Sequence, residues 1–234
     1  MSSSHLKTLV APRSWSIARK KNVWTTRPMP GKHSLEGAIP ISTILRDYLN
    51  VCDTKREAKI ILNDGAVLID QRVVREPKTA VGLMDVISLP KMKIHLRTVL
   101  DNHGRIQFVD VKATEAKWKL VRVENKVVVK GGKTQLNLHD GTNLISDKKV
   151  KTGDVLQLSL PDMKIKKVLE FKEGAQALII GGAHVGLIAK IKEIEITRST
   201  KPNLVMYDDF QTIKPYSFIV GEKKAMVTLP EVKV

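Results

Sequence analysis

The chain has 234 residues, 42% of them hydrophobic, enough for one large packed core or two to three small ones. Forty Lys and Arg against 24 Asp and Glu give a formal net charge of +16, a self-repulsion that a polyanion would neutralise with release of counterions. Nucleic acid is therefore the expected partner. An anionic membrane surface is the weaker candidate, and no spanning helix is expected, since the longest uncharged stretch, 174–189, contains His184 and falls short of the roughly 20 apolar residues that one needs.

Residues 1–38 carry His5, Lys7, Arg13, Arg19, Lys20, Lys21, Arg27, Lys32 and His33 around Ser14, Trp15 and Trp24, with no acid before Glu36. Pro12, Pro28, Pro30 and Gly31 break the amphipathic helix that a mitochondrial presequence needs. With no periodic apolar pattern, the segment reads as a basic N-terminal arm that orders on binding RNA. Its two tryptophans are then expected to pack on a base or sugar.

Residues 39–92 read as helix, helix and hairpin. Ile41, Ile44, Leu45, Tyr48 and Leu49 form the apolar stripe of a first helix over 40–49. Asp53 is the expected N-cap of a second helix running to Leu62, with Ala58, Ile61 and Leu62 facing inward. Lys55, Arg56 and Lys59 project from its exposed side. Asn63-Asp64-Gly65 ends it, and Val67-Leu68-Ile69 and Val73-Val74 flank a turn at Asp70-Gln71, with Arg72, Arg75 and Lys78 close by. This arrangement, with Arg46, Lys55-Arg56-Glu57-Ala58, Asn63-Asp64-Gly65 and Pro77, resembles the small RNA-binding module first named after bacterial ribosomal protein S4. The resemblance implies binding of structured RNA through shape and phosphates.

From 93 to 168 the pattern is β-rich. Ile106–Val111, Val127–Val129 and Val155–Leu160 are candidate strands, punctuated by Gly131-Gly132, Asp140-Gly141 and Gly153-Asp154. A compact barrel-like β domain is expected. In 169–234, a strand over 175–180, the loop Gly181-Gly182-Ala183-His184-Val185-Gly186 and a second strand over 187–196 resemble the KOW motif. Its central glycine would be Gly186, where a bend and close approach to an RNA backbone exclude a side chain. Leu187 and Ala189 stand where that motif commonly offers Arg and Gly, so this loop carries fewer cations.

Signatures of chemistry do not close. Gly132-Lys133-Thr134 ends like a P-loop, but its first glycine would fall at Val127. The 181–186 loop has Ala183 where the dinucleotide fingerprint needs glycine. Six scattered histidines and one cysteine, Cys52, make neither a zinc site nor a disulfide. The Arg-Leu-Asp motif of pseudouridine synthases and the glycine-rich cofactor loop of methyltransferases are both missing. No enzyme, cofactor or metal is expected.

The order of arm, module, β domain and KOW-like unit resembles the ribosomal protein S4e family over nearly the whole chain. The strings that carry it are His5-Leu6-Lys7, Ala11-Pro12-Arg13-Ser14-Trp15, Pro30-Gly31-Lys32-His33, Val81 to Ile87, Val129-Lys130-Gly131-Gly132-Lys133 and Gln135 to Gly141. The resemblance implies a constituent of the small ribosomal subunit in the cytoplasm, set against the 5′ region of the small-subunit ribosomal RNA and neighbouring ribosomal proteins, with no DNA or membrane partner. The chain ends soon after Val220-Gly221, without the longer basic extension of eukaryotic members, which implies an archaeal type. The expected fold class is α+β, mostly β: basic arm, helix-helix-hairpin module, central β domain and a C-terminal KOW-type small β-barrel. A free elongation-type KOW protein or an assembly chaperone would share these features.

Overall fold

The computed structural model describes residues 5–222 and 224–228, so residues 1–4 of the expected arm and 223 and 229–234 of the C-terminal segment lie outside them. The chain divides into two compact units, one of residues 1–99 and 105–117, the other of 100–104 and 118–234.

The first unit opens on a two-stranded antiparallel ribbon, β1 (His5–Lys7) with β2 (Trp24–Thr26). Between them the chain turns inward. Trp15 is 2% exposed and donates its indole N–H to the Ala38 carbonyl at 2.8 Å. The Ser14 hydroxyl donates to the Glu36 carbonyl, the Ser16 amide to the Tyr48 hydroxyl, and the Ile106 amide to the Ser14 carbonyl. Arg19 donates to the carbonyls of Ala11 and Pro12. The described part of the arm is thus folded into this unit, which corrects the expectation of a segment that orders only on RNA. Leu6, Ala11 and Trp15 have no periodicity of their own because they complete a core supplied by residues far along the chain.

β3 (Ala38–Pro40) leads into one helical turn, α1 (Ile41–Thr43), which widens to a π turn over Ile44–Tyr48, with the Leu49 amide bonding the Ile44 carbonyl at 3.0 Å. α2 (Lys55–Asn63) starts from a capping box. Its cap is Thr54 and not the expected Asp53: Thr54 Oγ1 accepts the Glu57 amide at 3.2 Å, and the Glu57 carboxylate accepts the amides of Asp53 and Thr54. Ala58 and Leu62 are buried beneath it. β4 (Leu68–Ile69) and β5 (Arg72–Val73) flank Asp70 and Gln71, both at positive φ, the two-residue turn whose twist suits a tight hairpin. β6 (Ala80–Gly82) pairs with β3. β7 (Val86–Leu89), β8 (Ile94–Leu100) and β9 (Ile106–Asp110) extend the hairpin into a five-stranded sheet ordered β5-β4-β7-β8-β9. This sheet runs through residue 92, where the sequence places a domain boundary, because β7 and β8 pair directly.

In the second unit, β10 (Trp118–Val128), β11 (Thr134–Leu138), β12 (Asn143–Ile145), β13 (Val155–Ser159) and β14 (Ile165–Leu169) form an antiparallel sheet ordered β12-β11-β10-β13-β14. Its core is Val121, Val123, Leu136, Leu138, Val150, Leu156 and Leu158. β15 (Gln176–Ile179) pairs with β16 (Ile188–Lys190), as expected for the glycine-loop unit, and also with the last strand. The expected second strand over 187–196 is two strands. β16 ends at Lys190, Ile191 is buried, and β17 (Glu193–Glu195) joins a separate sheet with β18 (Leu204–Met206) and β19 (Gln211–Ile213). β20 (Ser217–Gly221) closes the described strands.

A buried ion pair lies inside this unit. Lys119 Nζ is 2.6 Å from Asp140 Oδ2, both side chains essentially inaccessible, and Asp140 also accepts the amide and hydroxyl of Thr142. Burial alone would raise the Asp140 pKa, but the charge and hydrogen bond of Lys119, with Thr142, outweigh it and hold the carboxyl below its ordinary value. A depressed folded pKa adds stability above the unfolded carboxylate pKa of about 4, and this is lost as pH falls through the folded value. Asp140→Asn is expected to cost about 3–5 kcal/mol, because it strands a buried ammonium. Urea unfolding at pH 7 measures this, and the gap to wild type narrows as the buffer is taken below pH 4.

Candidate nucleic-acid interface

α2 separates its side chains cleanly. Ala58 and Leu62 point into the core, while Lys55, Arg56 and Lys59 are exposed. The next hairpin lies alongside: the Ala66 amide bonds the Ile61 carbonyl, and a Cβ on Gly65, at φ +66°, would come within 3.3 Å of the Val73 side chain. Arg72 and Arg75 are exposed on this hairpin. Ile60 and Val73 are exposed among these cations, so the surface mixes positive charge with small apolar contact area. Lys91 and Lys93, on the turn between β7 and β8, are exposed cations of the same unit that the sequence reading passes over.

Two carboxylates hold the hairpin and the arm together. Asp70 is buried; its Oδ1 accepts the Val86 amide at 3.2 Å and its Oδ2 lies 3.2 Å from Lys32 Nζ. Asp85, fully buried, lies 2.8 Å from His33 Nε2 and accepts the Gly82 amide. The His33 ring covers Gly82 so closely that a Cβ there would lie 2.4 Å from Nδ1. Lys32 and His33 therefore position the arm, and His33 has almost no exposed surface. Sequence reasoning named the basic members of both pairs and missed the acids. The available signal was an aspartate in a two-residue hairpin turn, where its carboxylate can accept nearby amides.

Other expected contact residues are also engaged within the protein. Arg46 forms a bidentate pair with Asp47, which raises its pKa against the opposing effect of burial. Arg97 on β8, not among the expected contacts, is buried and donates to the Glu115 carbonyl, and burial pushes its pKa down to about 10. Arg27 and Lys78 are half-buried. On the ribbon, Trp24 is 53% exposed, His5 meets it edge-on at 5.5 Å, and Lys7, directly across the strands, reaches 6.0 Å from its ring. Arg13, Lys20 and Lys21 are exposed on the loop between these strands. The two tryptophans, alike in sequence, are opposites in structure: Trp15 is core and Trp24 offers a ring face.

The glycine loop of the second unit is shaped by its own unit. At Gly186, φ +82°, a Cβ would stand 2.7 Å from the backbone of Asp101 and Asn102, so the close approach is to protein and no RNA is needed to explain it. A Cβ on Gly181 would strike the Tyr216 ring, and Gly182 passes over the same ring. His184 stacks on Phe210 at 4.3 Å, and Phe210 on Tyr207 at 4.9 Å. Among the described residues no cluster of His, Cys, Asp and Glu could hold a metal ion, and no helix is long and apolar enough to cross a membrane.

Three known families match segments of the chain. The S4 domain matches residues 40–87, the Ribosomal family S4e residues 92–165, and the RS4NT (NUC023) domain residues 2–36. Small ribosomal subunit protein eS4 of Methanosphaera stadtmanae is 44% identical over 232 residues, 97% of this chain and 96% of the relative. The chain belongs to the ribosomal S4e family. The eS4 protein of Methanothermobacter thermautotrophicus is 41% identical over 234 residues, covering 98% and 97% of the two chains. The crystal structure of 30S ribosomal protein S4e from Thermoplasma acidophilum superposes with a TM-score of 0.72 at 38% identity, over 82% of this chain and 99% of that one. The S4e relatives bear the names of ribosomal components and not of enzymes. Mostly β, with few helices and an S4 domain, the fold is that of the family.

The contrast between the tryptophans is measurable. Trp15→Ala is expected to cost about 3–5 kcal/mol of stability as a core truncation. Trp24→Ala should change stability by about 0.5 kcal/mol or less, as a surface substitution. Denaturant unfolding of the two variants checks this.

Proposed function

We propose that the protein is a structural constituent of the small ribosomal subunit, binding and stabilising folded small-subunit ribosomal RNA in the cytoplasm. The observation that carries this is the exposed basic face of α2 with the adjoining hairpin: Lys55, Arg56, Lys59, Arg72 and Arg75 on a rigid S4 domain. Cations fixed on packed elements bind phosphates at defined spacing and so recognise a folded RNA by shape. His5, Lys7, Arg13, Lys20, Lys21 and Trp24 extend the contact along the arm, with Trp24 open to a base or sugar. Lys32, His33, Arg19, Arg46 and Trp15 act behind that surface by holding arm and module in place. Ser14, Arg27 and Lys78 border it.

The names of the relatives supply the assembly, and the 5′ region of the small-subunit RNA is the segment we assign to this surface. The second unit, with its KOW-type loop at Gly181, Gly182, His184 and Gly186, serves as a rigid body that meets neighbouring ribosomal proteins. No catalytic step, cofactor, membrane or DNA enters this role.

The test is co-sedimentation of the native protein with mature small subunits after a high-salt wash, which strips isolated phosphate contacts. One copy per subunit is expected. Substoichiometric binding to immature particles would instead make it an assembly factor, and free migration would point to an elongation-type protein. With purified RNA, the triple variant Lys55→Glu, Arg56→Glu and Lys59→Glu should bind at least about tenfold more weakly, with unchanged thermal unfolding. Wild-type affinity in that variant would remove α2 from the contact face.

A further inference from the structure

The hairpin of β10 and β11, with β12 beside it, reaches beyond the core of the second unit. From Glu124 to Val128 every residue of β10 is exposed, and Val128, 72% exposed, is covered on neither side. The cross-strand rows are Asn125–Asn137–Asn143, Lys126–Leu136–Leu144, Val127–Gln135–Ile145 and Val128–Thr134. Leu136 belongs to the core and Leu144 packs against it, so the alternation of strand side chains sends the first and third rows to the opposite, outer face. That face consists of four side-chain amides, with Gln135 donating to Asn137 at 3.0 Å, and two aliphatic groups, Val127 and Ile145. At its tip, Gly131 and Gly132, both at positive φ, turn the chain between the exposed Lys130 and Lys133.

Charge favours an anionic occupant. Within 125–146 the one acid is Asp140, buried and held by Lys119. The flanking carboxylates are Glu124, paired with Arg122, and Asp147, followed by Lys148 and Lys149. Yet the face itself carries no charge. A surface built only for phosphates would place cations there. Amides instead donate and accept hydrogen bonds, and aliphatic groups pack on sugars. Two strand spacings place the outer strands roughly 10 Å apart. A wide, shallow surface of hydroxyls and base edges is what the minor groove of A-form RNA presents.

We propose that this face docks into the minor groove of a double-helical RNA segment. Asn125, Asn137, Asn143 and Gln135 bond 2′-hydroxyls and base edges, Val127 and Ile145 lie against riboses, and Lys130 and Lys133 reach flanking phosphates. This rests on the RNA-binding role proposed above and adds a second site, in the second unit, that distinguishes RNA from DNA.

The full chain is titrated into a labelled RNA duplex and a DNA duplex of the same sequence, each across a salt series. Wild type should bind the RNA duplex at least about tenfold more tightly than the DNA duplex. The combined variant Asn125→Asp, Asn143→Asp and Ile145→Glu should lose that preference, since carboxylates on this face oppose the groove. Lys130→Ala with Lys133→Ala should reduce the salt slope by about two and leave the preference in place. All of these positions are exposed, and unchanged thermal unfolding confirms that the variants fold. Equal binding of the two duplexes by wild type, or an intact preference in the combined variant, overturns the proposal. The α2 triple variant separates the two ideas. If its loss of RNA binding stands while the hairpin variants behave as wild type, the module site survives and the hairpin site does not.

Discussion

A buried acid paired with a basic side chain from the N-terminal segment is the interaction on which the first unit depends. Asp70 and Asp85 sit in the turns of the S4 sheet, take backbone amides as well as Lys32 and His33, and thereby tie the N-terminal segment to the sheet. A chain with a net charge of +16 has few carboxylates to spend on its interior. Those it buries are placed where one group can fix a turn and a distant segment together. Exposed cations face outward on α2, the hairpin and the ribbon. Internal pairing and external recognition are therefore two sides of one sorting of charge. The Lys119–Asp140 pair performs the same service in the second unit, where it and Thr142 secure the turn after β11.

Elements with local causes were legible in the sequence. The apolar stripe of α2, the break at Asn63-Asp64-Gly65 and the turn at Asp70-Gln71 all lie where neighbouring residues dictate them. The cap moved by one residue, to Thr54, because a hydroxyl and Glu57 can satisfy each other reciprocally there. What the sequence hid depended on partners far along the chain. Nothing near Trp15 announces that its indole will find Ala38, and nothing near His33 announces Asp85. The strand expected across 187–196 divides at Ile191, which is buried and bonds its amide to the Ala175 carbonyl, and the two halves pair in different sheets.

The candidate site divides in the same way. Cations on α2 could be assigned from helical spacing alone, since one face of a helix must be dry and the other wet. Cations in the arm could not, because an irregular segment has no period from which to infer direction. Arg19 is committed to backbone carbonyls, whereas Lys20 and Lys21 remain exposed. The glycine loop is instructive in the opposite sense. Gly186 is required, and for the physical reason foreseen, a backbone too close for a Cβ; the backbone in question belongs to Asp101 and Asn102.

The open side of β10 bears on how the free chain behaves in solution. β13 pairs with this strand only over Trp118–Arg122, so beyond that point its second edge has no neighbouring strand among the described residues. An open edge carrying Val127 and Val128 is a template for strand addition by another copy, the first step of aggregation. Lysines at 126, 130 and 133 act as gatekeepers, since a second copy would bring the same charges into register. Free copies are thus kept apart by their own positive charge, and solubility of the free chain becomes a function of ionic strength.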